Sequence, residues 1–119
     1  MTAEPKDPLA DANERLCYFI KLEKETIAMK SNKTEPVEVM LCYVSIVALR
    51  NVQTALRKKI TRITELNDLV ETMLADADDR MYIAGAKGDA LEKRRCAAEY
   101  HVLDLFSASI DLRGQAKKK

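Results

Sequence analysis

Residues 35–77 read EPVEVMLCYVSIVALRNVQTALRKKITRITELNDLVETMLADA, and the fold depends on how this stretch is parsed. It contains no glycine. Its one proline, Pro36, stands where a first helical turn has no N–H to lose. From Leu49 the apolar residues keep a heptad register: Leu49, Val52, Leu56, Ile63, Leu66, Val70, Met73 and Ala77, with Lys59 alone interrupting the seam. A 3.5-residue period over four heptads predicts a long helix packed lengthwise against other helices. Taken as continuous over 35–79, it is about 65 Å long from the helical rise.

On the N-terminal side, residues 1–7 read as a loose polar lead. Asp7 is placed as an N-cap, with Pro8 at the first helical position. A helix over 8–30 follows, its stripe formed by Leu9, Ala12, Leu16, Phe19, Ile20 and Ile27 at three- and four-residue steps. The short polar link Ser31, Asn32, Lys33, Thr34 turns the chain back nearly antiparallel, with Thr34 as the N-cap of the central helix.

On the C-terminal side, Asp76, Asp78 and Asp79 close the central helix, an electrostatically poor ending unless Arg80 or the run Lys93, Arg94, Arg95 sits beside them. Residues 81–88 hold Gly85 and Gly88 and are read as the second turn, since neither a strand nor a P-loop lysine accompanies these glycines. Asp89, with Glu92 three residues on, starts a helix over 89–113 that ends with Gly114 as its C-cap residue. A basic tail covers 114–119. The 89–113 helix carries two adjoining apolar stripes and so needs more than one neighbour.

The 119 residues are 47% apolar and 33% charged, with no Trp, three Gly and three Pro, which suits few, long helices in a single all-α domain and not a sheet. Net charge is +1, so no global field recruits nucleic acid or an anionic membrane. Cys17, Cys42 and Cys96 are odd in number and far apart, which indicates neither a zinc site nor a disulfide framework. Reduced thiols and a cytoplasmic setting are expected. The polar N-terminus lacks the apolar core of a signal peptide. The apolar run 37–49 is shorter than the roughly 20 residues of a membrane span, so no membrane partner is expected. No cofactor or metal is called for.

The helix lengths suggest an extended molecule. The two outer helices fold back as hairpins on either half of one long central helix, giving a coiled-coil-like body two helices thick. The competing architecture breaks the central helix near Lys59–Thr64 and closes a compact four-helix bundle. Thr61 and Thr64 are mediocre helix formers, but no Gly or Pro marks a break, and the continuous helix is the expectation. In that form the 39–49 segment, apolar nearly all round, is only partly covered by its own chain. A homodimer or a hetero-complex would complete it.

The function expected is therefore protein–protein association, as an adaptor, scaffold or chaperone subunit. The partner is a second copy or another helical protein. Its contact residues are read as Met40, Leu41, Val44, Val47, Leu49, Leu56, Lys59, Ile63, Leu105 and Phe106. Lys59, a polar residue in the seam, would fix register or carry its ammonium to the rim. Glu23, between Phe19 and Ile27, could meet a basic residue of a partner.

The rival class is a small dimeric helical-bundle enzyme binding an anionic substrate through Arg57, Lys59 and Arg62. With Arg50 and Lys58 these form the chain's strongest basic cluster. Folding back should bring Asp7, Asp11, Glu14, Asp104 and Asp111 against it. Without interleaved aromatics it is a poor nucleic-acid platform. His101 and Cys96 have no companion residues that would make them catalytic, so no catalytic residue is assigned.

A loose polar N-terminus, long heptad-bearing helices and a helical C-terminus make the chain similar to small type III secretion filament subunits and their chaperones. The resemblance implies work by helical association in a secretion-type assembly and transfers no residue roles.

Overall fold

The computed structural model describes residues 7–30 and 35–117. They form five helices: α1 (Pro8–Met29), α2 (Pro36–Lys58), α3 (Ile63–Lys87), α4 (Ala90–Ser109) and α5 (Leu112–Lys117), with no strand among the described residues. The Asp7 carboxylate accepts from the Leu9 N–H at 3.2 Å and caps α1 as its position suggests. Residues 1–6, the link 31–34 with its expected Thr34 cap, and Lys118 and Lys119 of the tail lie outside the described residues.

The central helix is not continuous. α2 ends at Lys58, Lys59 adopts φ −126° and ψ −32°, and a new helix starts at Ile63. The turn between them is capped from inside α3. Glu65 Oε1 accepts from the Thr61 N–H, the Thr61 hydroxyl and the Arg62 N–H, each at 3.0 Å. One carboxylate thereby satisfies the backbone donors just before the helix, the reach-back arm of a capping box. Ile60 is half-buried against the core and anchors the turn from below. The heptad step from Leu56 to Ile63 thus spans a chain reversal. Leu49 and Val52 belong to α2, while Ile63, Leu66 and Val70 belong to α3, and all five are buried. The molecule measures 52 × 32 × 22 Å, too short for a 65 Å rod, and the bundle is the architecture adopted.

Side-chain pairs fix the helix directions. Gln53 reaches Asn13 at 3.2 Å and Lys30 reaches Glu35 at 3.6 Å, so α1 and α2 are antiparallel. Arg80 pairs with Glu99, and α5's Arg113 with Glu71, which sets α3 against α4 in the opposite sense. Arg94 meets Glu38 at 2.9 Å where both helices begin, so α2 and α4 run parallel. The packing order is α1, α2, α4, α3. The α1–α4 and α2–α3 pairs touch only lightly. With α4 wedged between α2 and α3, its Val102, Leu103 and Phe106 sit in the shared core with Leu16, Leu49 and Leu66.

Two further boundaries differ from the sequence reading. α3 runs through residues 81–87 to Lys87, and the turn is confined to Gly88 (φ 75°) and Asp89. Asp76, Asp78 and Asp79 therefore lie mid-helix, away from the negative end of the dipole. Arg80 bridges Asp76 at 2.8 Å and Glu99 on α4. Asp89 accepts from the Glu92 N–H at 3.0 Å, the expected cap of α4. α4 stops at Ser109, and Asp111 takes a left-handed φ of 48°. Gly114 falls inside α5 and does not cap α4. A Cβ at this position would meet the Asp111 carboxylate, which would have to swing aside. Leu112, buried, pins α5 to the bundle.

Candidate interaction surface

The break in the central helix decides which apolar residues remain available. In the extended arrangement α4 could not reach α2. In the bundle it lies along α2 and covers much of the segment that a continuous helix would leave open. Leu49, Ile63 and Phe106 are consequently buried in the chain's own core and have no surface to offer. Leu56 is half-buried against that core. Lys59 is exposed at the α2–α3 turn and occupies no helical seam. Met40, Leu41 and Val44 are half-buried, whereas Val47 (57%) and Leu105 (54%) are open to solvent.

The remaining candidates sort into two surfaces. The first is a convex ridge on α2 made by Tyr43 (54% exposed) and Val47, bordered by Met40 and Val44. It is the solvent side of residues 39–49, an eleven-residue run without one charged side chain. The sequence does not single out Tyr43, whose ring belongs to the all-round apolar character of the helix, and only the position of α4 shows that its side stays uncovered.

The second is a cleft of about 260 Å³ that α1, α2 and α4 form together. Phe19 and Glu23 line it from α1, Leu41, Cys42 and Ser45 from α2, and His101 and Leu105 from α4. It exists because α1 and α4 flank α2 while barely touching each other. Ser45 donates its hydroxyl to the Leu41 carbonyl at 3.2 Å, so this buried polar group is satisfied within its own helix. Burial pushes the Cys42 thiol up to about 11, and the neighbouring Glu23 carboxylate adds to the rise. Cys42 is thus a packing group and no nucleophile. His101 is exposed and has no hydrogen-bond or ion-pair partner among the described residues.

The volume lies below the usual range of about 300–1,000 Å³ for small-molecule sites. A wider cleft of about 500 Å³ between α3 and α4 is lined by Asp78, Met81, Tyr82, Gly85, Ala86 and Lys93. No group of three or more potential metal ligands is present among the described residues.

Arg50, Arg57, Lys58, Lys59 and Arg62 are all exposed, and none is in an ion pair among the described residues. The neutralisation expected from Asp7, Asp11, Asp104 and Asp111 is not formed as ion pairs among the described residues, and the Asp7 carboxylate instead caps α1. One helix, Pro36–Lys58, is long and apolar enough to cross a membrane by length and composition. Its Val39, Ile46, Leu49 and Val52 are buried in the bundle. No family model, curated protein or solved structure matches the chain.

Proposed function

We propose that this chain is a helical protein–protein association module with two working surfaces, the α2 ridge and the cleft on the other side of the same helix. The observation that carries the reading is the exposure of Tyr43 and Val47 at the centre of an uncharged eleven-residue run. A lone exposed valine needs no explanation. A continuous uncharged strip flanked by Glu38 and Arg50 has the layout of a contact surface, with an apolar centre and a polar rim. The cleft adds an apolar recess with Leu105 open at its edge.

Site-specific photo-crosslinking tests this reading. A benzophenone amino acid at Val47 or at Leu105 in the native cell is expected to give a discrete protein adduct, whereas the same group at exposed Thr72 is not. No adduct at either of the first two positions would overturn it.

A further inference from the structure

The ridge and the cleft lie on opposite sides of the same helix. From Cys42 in the cleft to Val47 on the ridge is about 140° around α2, and from Ser45 to Tyr43 about 160°. Both are short features of similar length. Leu41 to Ser45 and Ala98 to Leu105 bound a cleft about 10 Å long, and Tyr43 to Arg50 spans about 10 Å of helix. Their charges are opposite. Glu23, half-buried at the cleft wall, accepts a hydrogen bond from the Cys42 thiol but has no cation paired with it among the described residues, and Arg50, exposed one turn beyond Val47, has no ion pair there either. Glu38, also lining the cleft, is already held by Arg94. The unanswered charge in the cleft is therefore negative, and the unanswered charge at the ridge is positive.

We infer that the cleft's occupant is the α2 ridge of a second copy of this chain, with Tyr43 and Val47 entering beside Phe19 and Leu105 and Arg50 meeting Glu23. The inference rests on the association reading above and names its partner. Because the two surfaces face opposite ways, each pairing leaves one ridge and one cleft unused, so the contact is heterologous and head-to-tail. Such a pairing adds copies without closing as a two-fold dimer. With two entering side chains and one ion pair the contact is small by the standard of specific interfaces, so a weak, concentration-dependent association is expected.

Analytical ultracentrifugation of the purified chain from 1 to about 300 μM, a span set by the affinity expected of a small interface, tests it. The expected result is a mass that rises with concentration past two chains. Arg50→Glu and Glu23→Arg, each alone, are expected to weaken association more than about tenfold through like-charge contact. An equimolar mixture of the two is expected to restore it, since the acidic ridge of one then faces the basic cleft of the other. Arg50 is exposed, so Arg50→Glu keeps the test decisive even if Glu23→Arg fails to fold. A wild-type monomer throughout the range overturns the inference. So does a dimer indifferent to Arg50→Glu, which would pair ridge to ridge. In either case an adduct with a different protein at Val47 leaves the association reading standing, and the absence of any adduct removes both.

Discussion

The Glu65 carboxylate accepts hydrogen bonds from both the backbone N–H and the hydroxyl of Thr61, each at 3.0 Å, so a side chain within α3 shapes the turn that precedes it. Those two bonds, the backbone one first, hold its carboxyl below the ordinary value of 4.5. A depressed folded-state value contributes stability above the unfolded carboxyl value, and the contribution disappears as pH falls through the folded one. Glu65→Gln should therefore melt below the wild type at pH 7, with the gap closing in acid below the folded value. Thermal midpoints measured from neutrality to pH 2.5 read this directly. A gap that stays constant across the range would mean that the charge plays no part in the cap.

That carboxylate also explains what the sequence showed and what it concealed. The helical class, the α1 boundaries and the Asp7 and Asp89 caps were legible because each is local: a stripe, a proline at the first turn, an oxygen two or three residues from its donor. The reversal at residues 59–62 was not. It contains no Gly or Pro, and the heptad step from Leu56 to Ile63 is what an unbroken helix would also show. The weak signal was Thr61 followed by Glu65, a reach-back pair hidden by the apolar period. Since the same break brings α4 onto α2, a continuous helix would also leave Leu49, Ile63 and Phe106 to a partner surface, whereas they are buried in the bundle. The cleft was illegible for the same reason, as it needs three helices whose mutual positions no single stretch specifies.

Whether the turn or the packing enforces the reversal can be decided. Replacing Ile60, Thr61 and Arg62 by Ala raises helix propensity by roughly 0.5 kcal/mol or less per residue. Opening the bundle would uncover several core side chains at roughly 1.5–3 kcal/mol each. Packing should win. Small-angle scattering of the triple-alanine chain at low concentration is expected to give a radius of gyration close to the native Cα value of 15.8 Å. A clear rise toward a rod-like profile would show that the turn chemistry is what folds the chain back.

Truncation should separate core from ridge. Leu66 is fully buried, and Leu66→Ala should cost about 2–5 kcal/mol in denaturant unfolding. Val47→Ala, at a position 57% exposed, should leave the dilute chain within about 0.5 kcal/mol of wild type. Equal losses at the two positions would show that Val47 is covered within a single chain.

The thiols should react in two classes. Cys17 is exposed, while Cys42 is buried with its thiol pushed up to about 11. Cys96 is buried and is likewise raised by burial, with Glu92 adding to it. Thiolate is the reactive form, so an aromatic disulfide reagent at pH 8 should modify one thiol quickly and the other two only on unfolding. Two or more fast thiols in the native protein would place Cys42 or Cys96 at the surface.

Gly85 and Gly88 stand three residues apart and should respond to alanine with opposite signs. Gly85 lies within α3, where the nearest neighbour of an added Cβ is the flexible Lys93 side chain at 3.7 Å, an ordinary contact. Glycine inside a helix forfeits roughly 0.5–1 kcal/mol against alanine, so Gly85→Ala should stabilise the fold by about that amount. Gly88 is the residue that ends α3, with φ at 75°, and nothing lies within 4 Å of its would-be Cβ. Its constraint is therefore purely one of backbone, and a side chain in the left-handed region costs roughly 1–2 kcal/mol. Gly88→Ala should destabilise by that much although it crowds no neighbour. Urea unfolding of the two variants at matched concentration checks both signs at once. If both lose stability, Gly85 belongs to the turn after all, and the helix stops short of it.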